Sequence, residues 1–232
     1  MLDNILNILF PQSCPVCNER ASDHEIAPIC PECWLTIQPH NGPQCGRCGR
    51  PLVSDASGTC GECLKHEPAF KCAKSFGLYE GALKKAVNLF KYHNVRRLSL
   101  PLSAVMLQND LPRVEAVIPV PLFKKRLRHR GFNQSALLAG HIAARLGAEL
   151  MIDHLVKIRD TLPQVGLSSP ERRRNIRNAF RIRECGKVSG KRVLLVDDVI
   201  TTGATIRECS RVLKRAGAGD IYMRALAYSV MD

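Results

Sequence analysis

The chain has 232 residues, a net charge of +13, 45% hydrophobic and 24% charged residues. This composition can bury a core and excludes wholesale disorder. No apolar run reaches the roughly 18–20 residues that span a bilayer. The apolar start from Met1 to Phe10 lacks the basic front and small-residue cleavage site of a signal peptide, so a cytoplasmic protein is expected.

Eight of the eleven cysteines lie in the first 63 residues, as four Cys-x-x-Cys pairs: Cys14/Cys17, Cys30/Cys33, Cys45/Cys48 and Cys60/Cys63. The spacers between pairs are 12, 11 and 11 residues. A Cys-x-x-Cys turn aims two sulfurs at one point, and two such turns complete a tetrahedral zinc site. Disulfides would need an oxidising compartment, and a thioredoxin-like motif comes singly, so the spacing predicts two structural Zn²⁺. Neighbouring pairs would give stacked zinc ribbons, with Cys14, Cys17, Cys30 and Cys33 on one ion and Cys45, Cys48, Cys60 and Cys63 on the other. Alternating pairs would give a cross-braced site, and the neighbouring arrangement is preferred. Four sulfurs leave no open coordination position, which makes the metal structural. Gly46, Gly49 and Gly61 stand where a tight knuckle calls for positive φ.

Charge changes with cysteine content. Residues 1–70 hold 4 Lys+Arg against 8 Asp+Glu, a net −4, and residues 71–232 hold 30 against 13, a net +17. Two domains are therefore expected, 1–70 and 71–232. The basic surplus in the second suits a polyanion.

In the second domain, Ser75–Tyr79 reads as a strand, and Leu83, Val87 and Phe90 stripe a helix that ends near Lys91 and Tyr92. Lys91 fits either a surface charge or a phosphate contact. Val117–Pro121 is a short strand leading to Lys124, Lys125, Arg126, Arg128 and Arg130, whose guanidinium forks match phosphate oxygens. Asn133 suits a cap for the helix striped by Leu138, Ile142 and Leu146, or a ligand contact. A polar stretch with Thr161, Gln164 and Ser168 precedes six arginines: Arg172, Arg173, Arg174, Arg177, Arg181 and Arg183.

The strongest signal is the string from Lys191 to Ile206. Val193–Val196 is a continuous β-prone run, as in a central parallel strand. Asp197 and Asp198 follow, then Thr201, Thr202, Gly203, Ala204 and Thr205, then a helix striped by Ile206, Cys209, Leu213 and Ala216. Strand, loop and helix in that order gather backbone N–H groups at a phosphate-binding spot. Carboxylates repel phosphate but accept from sugar hydroxyls or hold hydrated Mg²⁺. A site wanting both a phosphate and a diol wants a sugar phosphate. A capped helix after a core strand is the plainer alternative. Neither a P-loop nor a dinucleotide fingerprint is present.

Val193–Thr205 resembles the ribose-phosphate signature of type I phosphoribosyltransferases, which bind 5-phosphoribosyl diphosphate (PRPP). The resemblance implies that Asp197 and Asp198 contact the ribose hydroxyls and that Thr201–Thr205 hold the 5-phosphate. With the four cysteine knuckles, Val117-Ile-Pro-Val-Pro121, Arg130-Gly-Phe-Asn-Gln134 and the stretch from Lys157 through Gln164, Leu167, Arg172 and Asn175 to Phe180, the chain resembles the ComF/GntX family of competence-associated proteins over about Ile8 to Leu226. The implied fold is α/β. A double zinc ribbon precedes a type I phosphoribosyltransferase-like domain, whose mainly parallel sheet has helices on both faces and a small hood. The implied cofactor is Mg²⁺ with PRPP. Lys124, Arg126, Arg128 and Arg130 fall near the pyrophosphate-binding loop, and residues 171–183, with their neighbours Thr161, Gln164 and Ser168, near a mobile loop that closes over PRPP.

Six arginines exceed what a closing hood needs. Arg172, Arg173, Arg174 and Arg177 are the candidates for a single-stranded nucleic-acid backbone, although few aromatics are at hand to stack bases. Two functions stay open. One is a binding module in DNA uptake during natural transformation, with single-stranded DNA and a protein of the uptake machinery as partners. The other is an active transferase in which an unknown acceptor displaces pyrophosphate; no general base or other catalytic residue is identified.

Overall fold

The computed structural model describes residues 12–108, 111–162 and 168–230. Met1–Phe10, Gln164 and Leu167, all named from the sequence, lie outside the described residues.

The cysteine region is the same unit built twice. Each begins with a knuckle, closed by Asn18 N–H donating to Cys14 O (2.8 Å) in one and by Gly49 N–H donating to Cys45 O (2.9 Å) in the other. Each continues into a one-turn helix, α1 (Pro31–Leu35) and α2 (Gly61–Lys65), with Cys30 and Cys60 at the N-caps. The residue after each knuckle's second cysteine takes positive φ: Asn18 at 66° and Gly49 at 68°. Gly46 and Gly61 do not, contrary to expectation; Gly61 instead begins α2. The close approach is at Gly49, where an added Cβ would stand 2.6 Å from Ala73 O.

Strand β1 (Cys72–Leu78) follows, then α3 (Gly81–Tyr92), α4 (Ser99–Met106), β2 (Ala116–Pro119), α5 (Lys124–Arg130) and α6 (Gln134–Leu146). Asn133 caps α6, its side chain accepting from Ser135 N–H at 3.1 Å, while its amide donates to Val120 O. Next come β3 (Glu149–Leu150) and β4 (Leu155–Lys157), then α7 (Ser169–Ile176), begun by a Ser168/Glu171 capping box, and β5 (Phe180–Ile182). The last elements are β6 (Val193–Ile200), α8 (Ala204–Arg215) and β7 (Ile221–Tyr228).

The main sheet runs β1-β7-β6-β2-β3 with every pair parallel. Strands β4 and β5 pair antiparallel as a separate two-stranded hood. Alternate residues of the central strands feed two cores. Val193, Leu195, Ile118 and Ala225 meet α8, the hood and the second cysteine cluster. Leu194, Val196, Val117 and Leu226 meet α3, α4, α6 and the first cluster. Val193–Val196 are all buried, and at roughly 1.5–3 kcal/mol each they offset the cost of two carboxylates on the same strand.

Strand β6 is longer than its apolar run predicts. Asp197 pairs with Ala225, and Ile200 with Tyr228, so the acids belong to the strand and not to the loop after it. The helix likewise starts at Ala204, ahead of Ile206, and Thr205 lies in its first turn. On its other side β1 meets the cysteine region, with Ala73 N–H donating to Arg47 O (2.7 Å) and His40 N–H to Phe76 O (2.8 Å). Among the described residues no helix is long and apolar enough to cross a membrane.

Candidate functional site

In both cysteine clusters the sulfurs lie within 4.8 Å of one another, grouped by neighbouring pairs. The Cys17–Cys30 and Cys48–Cys60 sulfurs are 3.6 Å apart, close to the roughly 3.8 Å between corners of a tetrahedron with Zn–S bonds of about 2.3 Å. Backbone N–H groups of Cys33 and Cys60 point at the sulfurs of Cys30 (3.4 Å) and Cys45 (3.3 Å), as thiolates require. These donor sets fit two structural zinc ions.

A cleft of about 950 Å³ opens where β6 and β2 end. One wall is acidic. Asp197 Oδ1 accepts from Ser135 Oγ and from Asp198 N–H, both at 2.9 Å. Burial, and then the neighbouring Asp198 charge, push the Asp197 carboxyl up to about 7. Asp198 is paired with Lys91 Nζ at 2.9 Å, both side chains mostly buried. Burial alone would lower the Lys91 pKa, but the Asp198 carboxylate more than offsets it and the net shift is upward.

Beside the acids runs the Thr201–Gly203 turn into α8. Gly203 holds φ 75° at the helix N-cap, a conformation other residues adopt only under strain. Thr201, Gly203, Ala204 and Thr205 line the cleft. Thr202 does not: it borders a smaller cavity on the cysteine-rich side, and its Oγ1 accepts from Ala204 N–H at 3.4 Å. The turn's geometry puts the start of α8 against the cleft, where helix N–H groups and the dipole favour an anion.

The opposite wall is cationic. The predicted basic loop is helix α5, and its period sorts the cations: Arg126 and Arg130, four residues apart, line the cleft, while Lys124 and Arg128 are exposed. Arg126 donates to Thr161 O (2.7 Å), and Arg130 donates to Gln134 Oε1 (2.8 Å) and stands 5.3 Å over Tyr92. From the hood, Lys157 donates to Thr161 Oγ1 at 2.8 Å. Burial, then the Arg126 charge, lowers the Lys157 pKa to about 8. An anion placed there would draw it back up.

The nucleic-acid candidates divide. Arg172 is buried and lines the cleft, so it does not belong to an exposed track. Arg173 pairs with Glu62 at 2.8 Å, and Arg174 and Arg177 are exposed. A second depression of about 520 Å³ is lined by Arg173, Arg177, Arg207, Arg211 and Arg215.

A double zinc ribbon domain family matches residues 5–64, and a phosphoribosyl transferase domain family matches residues 133–228. "Competence protein F" of Haemophilus influenzae is 35% identical over 208 residues, 86% of this chain and 90% of that protein. The chain belongs to the competence protein F (ComF) family. Another relative is "DNA utilization protein YhgH" of Salmonella typhi, 33% identical over 190 residues, 78% of this chain and 82% of that protein. "Competence protein ComFC" of Bacillus subtilis is 23% identical over 205 residues, 82% and 79% of the two chains.

Three cleft residues of this ComF-family chain, Lys91, Lys157 and Tyr79, stand outside the predicted site residues. Lys91 had a cue: it lies four and eight residues after Val87 and Leu83, on the apolar stripe of α3, where a lysine needs a buried partner. Lys157 opens the family-like stretch that runs to Phe180 and Tyr79 ends a strand, but neither position reports the cleft, because the hood and the end of β1 meet β6 only in three dimensions.

Proposed function

We propose that this ComF-family protein is a cytoplasmic DNA-utilization protein that binds PRPP in the cleft and single-stranded DNA on its arginine surface. The cleft carries the proposal: two carboxylates on one wall, a helix start beside them and buried cations opposite. The 5-phosphate would sit on the turn and first helical turn at Thr201, Gly203, Ala204 and Thr205. Asp197 and Asp198 would accept from the ribose hydroxyls. The diphosphate would lie toward Arg126, Arg130, Lys157 and Arg172. The carboxylates and the ligand's own phosphates offer the hard oxygen donors that Mg²⁺ takes, so Mg²⁺ would accompany the diphosphate.

Exposed Arg174 and Arg177, with the depression beside them, support a backbone-only contact to DNA. Along α8, Arg211 and Arg215 stand four residues apart, a rise of about 6 Å, which is comparable to the phosphate spacing along a strand. Such binding is salt-dependent and blind to sequence.

Calorimetric titration with PRPP, with and without Mg²⁺, tests the cleft. Saturable binding that Asp198→Asn weakens at least tenfold is expected; no binding sinks the proposal. Binding of a labelled single strand over a salt series tests the surface. Arg174→Ala with Arg177→Ala should weaken it and flatten the salt slope, while Asp198→Asn should leave it unchanged.

The hood supports a second reading, an active transferase. A lid over the anomeric carbon excludes water, and the cationic wall favours departure of pyrophosphate. A nucleophile would then form a bond to C1 as the C1–O bond to the diphosphate breaks. Pyrophosphate release that requires an added acceptor and disappears in Asp198→Asn would establish this activity.

A further inference from the structure

The second cysteine cluster grips the phosphate turn from two sides. Arg207 lies in the first turn of α8, where its N–H donates to Gly203 O at 3.0 Å. Its guanidinium leaves the helix and reaches the cysteine region. Nη1 donates to His66 O and Nη2 to Cys63 Sγ, each at 2.8 Å, and the group stands 6.0 Å over the Phe70 ring. From the other side Arg50, next to Gly49, donates to Tyr228 Oη at 3.4 Å. Tyr228 is in register with Ile200, the residue before Thr201. Arg50, Tyr228, Thr201 and Thr202 border one small cavity of about 200 Å³. The first cluster packs in the core on the far face of the sheet.

Four thiolates around Zn²⁺ leave net negative charge on the cluster, and an outer N–H donor to one sulfur stabilises it and orients the ligand. The donor here is fixed to the same helical turn whose start faces the cleft. We propose that Arg207 is a positioning residue that couples the second zinc site to the phosphate turn, so that occupancy of the cleft by PRPP and retention of that zinc favour each other. The coupling rests on the ribose-phosphate reading of the cleft. Zinc holds Cys63, Cys63 and His66 hold the guanidinium, and the guanidinium fixes the helical turn that presents N–H groups to phosphate. Linkage makes the effect reciprocal: the factor by which PRPP tightens zinc is the factor by which zinc tightens PRPP.

The test uses the full chain loaded with two zinc ions. Calorimetry measures PRPP affinity, and equilibrium transfer of zinc to a chromogenic chelator measures retention with and without PRPP. In the wild type, saturating PRPP is expected to strengthen retention of one of the two ions against the chelator about tenfold at equilibrium and to leave the other unchanged. Arg207→Met should still hold two zinc ions, bind PRPP about tenfold more weakly and lose the protection; Arg207→Lys, which keeps a donor, should restore part of both effects. Protection that survives in Arg207→Met overturns the proposal. So does weaker retention of both ions alike in Arg207→Met, which would mark general loosening of the fold. Failure of the wild type to bind PRPP overturns the cleft reading and the coupling together, and appears in the titration before any zinc is measured. A wild type that binds PRPP with no change in zinc retention overturns the coupling alone.

Discussion

Replacing Asp197 by Asn is expected to stabilise the protein while weakening its ligand site. The carboxyl is held at about 7 against an ordinary 3.8, first by burial and then by Asp198. A carboxyl with a raised native pKa binds its proton more tightly in the folded state. Its ionisation therefore costs nothing while both states are protonated, below about pH 4. The cost grows through the window from 3.8 to 7 and stays level above it. At about 1.4 kcal/mol per pH unit, ionisation costs about 2 kcal/mol at pH 5.5 and about 4 kcal/mol at pH 8, ceilings that water at the part-exposed carboxylate reduces. An Asn keeps the oxygen that accepts from Ser135 Oγ and Asp198 N–H, and carries no charge. The stability gained by D197N should therefore rise by about 2 kcal/mol between pH 5.5 and pH 8. Denaturant unfolding of both proteins at the two pH values, with free zinc fixed, measures it, and taking the difference cancels the titrating groups that do not interact with Asp197. A gain that does not vary with pH, or a variant less stable than the wild type at pH 8, would refute the reasoning. The same variant should bind PRPP more weakly, which would mark Asp197 as a residue kept for function against stability.

Two further substitutions probe the pair at the cleft and the seam at β1. Lys91→Met leaves the Asp198 carboxylate mostly buried without its cation and should cost about 3 kcal/mol of unfolding free energy. Adding Asp198→Asn should recover most of that loss, so a double-mutant cycle with a coupling energy near zero would count against the pair. Gly49→Ala forces a Cβ to 2.6 Å from Ala73 O at a φ of +68°, and the resulting shift of the knuckle off β1 should cost about 2–3 kcal/mol, read as a lower thermal midpoint. An unchanged midpoint would show that the seam yields at little cost.

Local chemistry made much of this molecule legible. Cysteine spacing gave two four-cysteine sites and left neighbouring and alternating pairing open, with neighbours preferred; the structure groups the neighbours. The run Val193–Val196 and the Thr/Gly turn after it identified a central parallel strand and a helix start. What stayed hidden depends on contacts far apart in sequence. Asp197 and Asp198 lie inside the strand because β7 continues alongside them, and no pattern in residues 191–206 reports the length of that partner. Arg172 looked like its neighbours in a run of arginines. Helix α7 buries Arg172 on the same face as Ile176, four residues on, and leaves Arg174 and, at its C-cap, Arg177 outside. The resemblance places basic residues 124–130 near a pyrophosphate-binding loop; they form α5, a helix that buries none of its residues and so leaves no apolar stripe to announce it.

The cysteine region is more than an appendage to the sheet. It pairs with the otherwise open side of β1 through two backbone hydrogen bonds, and such an edge is a liability when left exposed. Each of its halves also enters a different core: Cys45, Cys48, Cys60 and Cys63 pack with Phe70 and Ala73 on one face, and Cys14, Cys30 and Cys33 pack with Phe76 on the other. A four-cysteine site that loses its metal must protonate or repel its thiolates, so demetallation loosens packing on both faces of the sheet at once. Metal-binding free energy is then folding free energy for the strands that carry the cleft as well as for the knuckles. A fold that keeps the Asp197 carboxyl at a raised pKa at the centre of the sheet can offset that cost where metal fixes the edge. The fixed edge lies next to the same β7 whose far side pairs with Asp197.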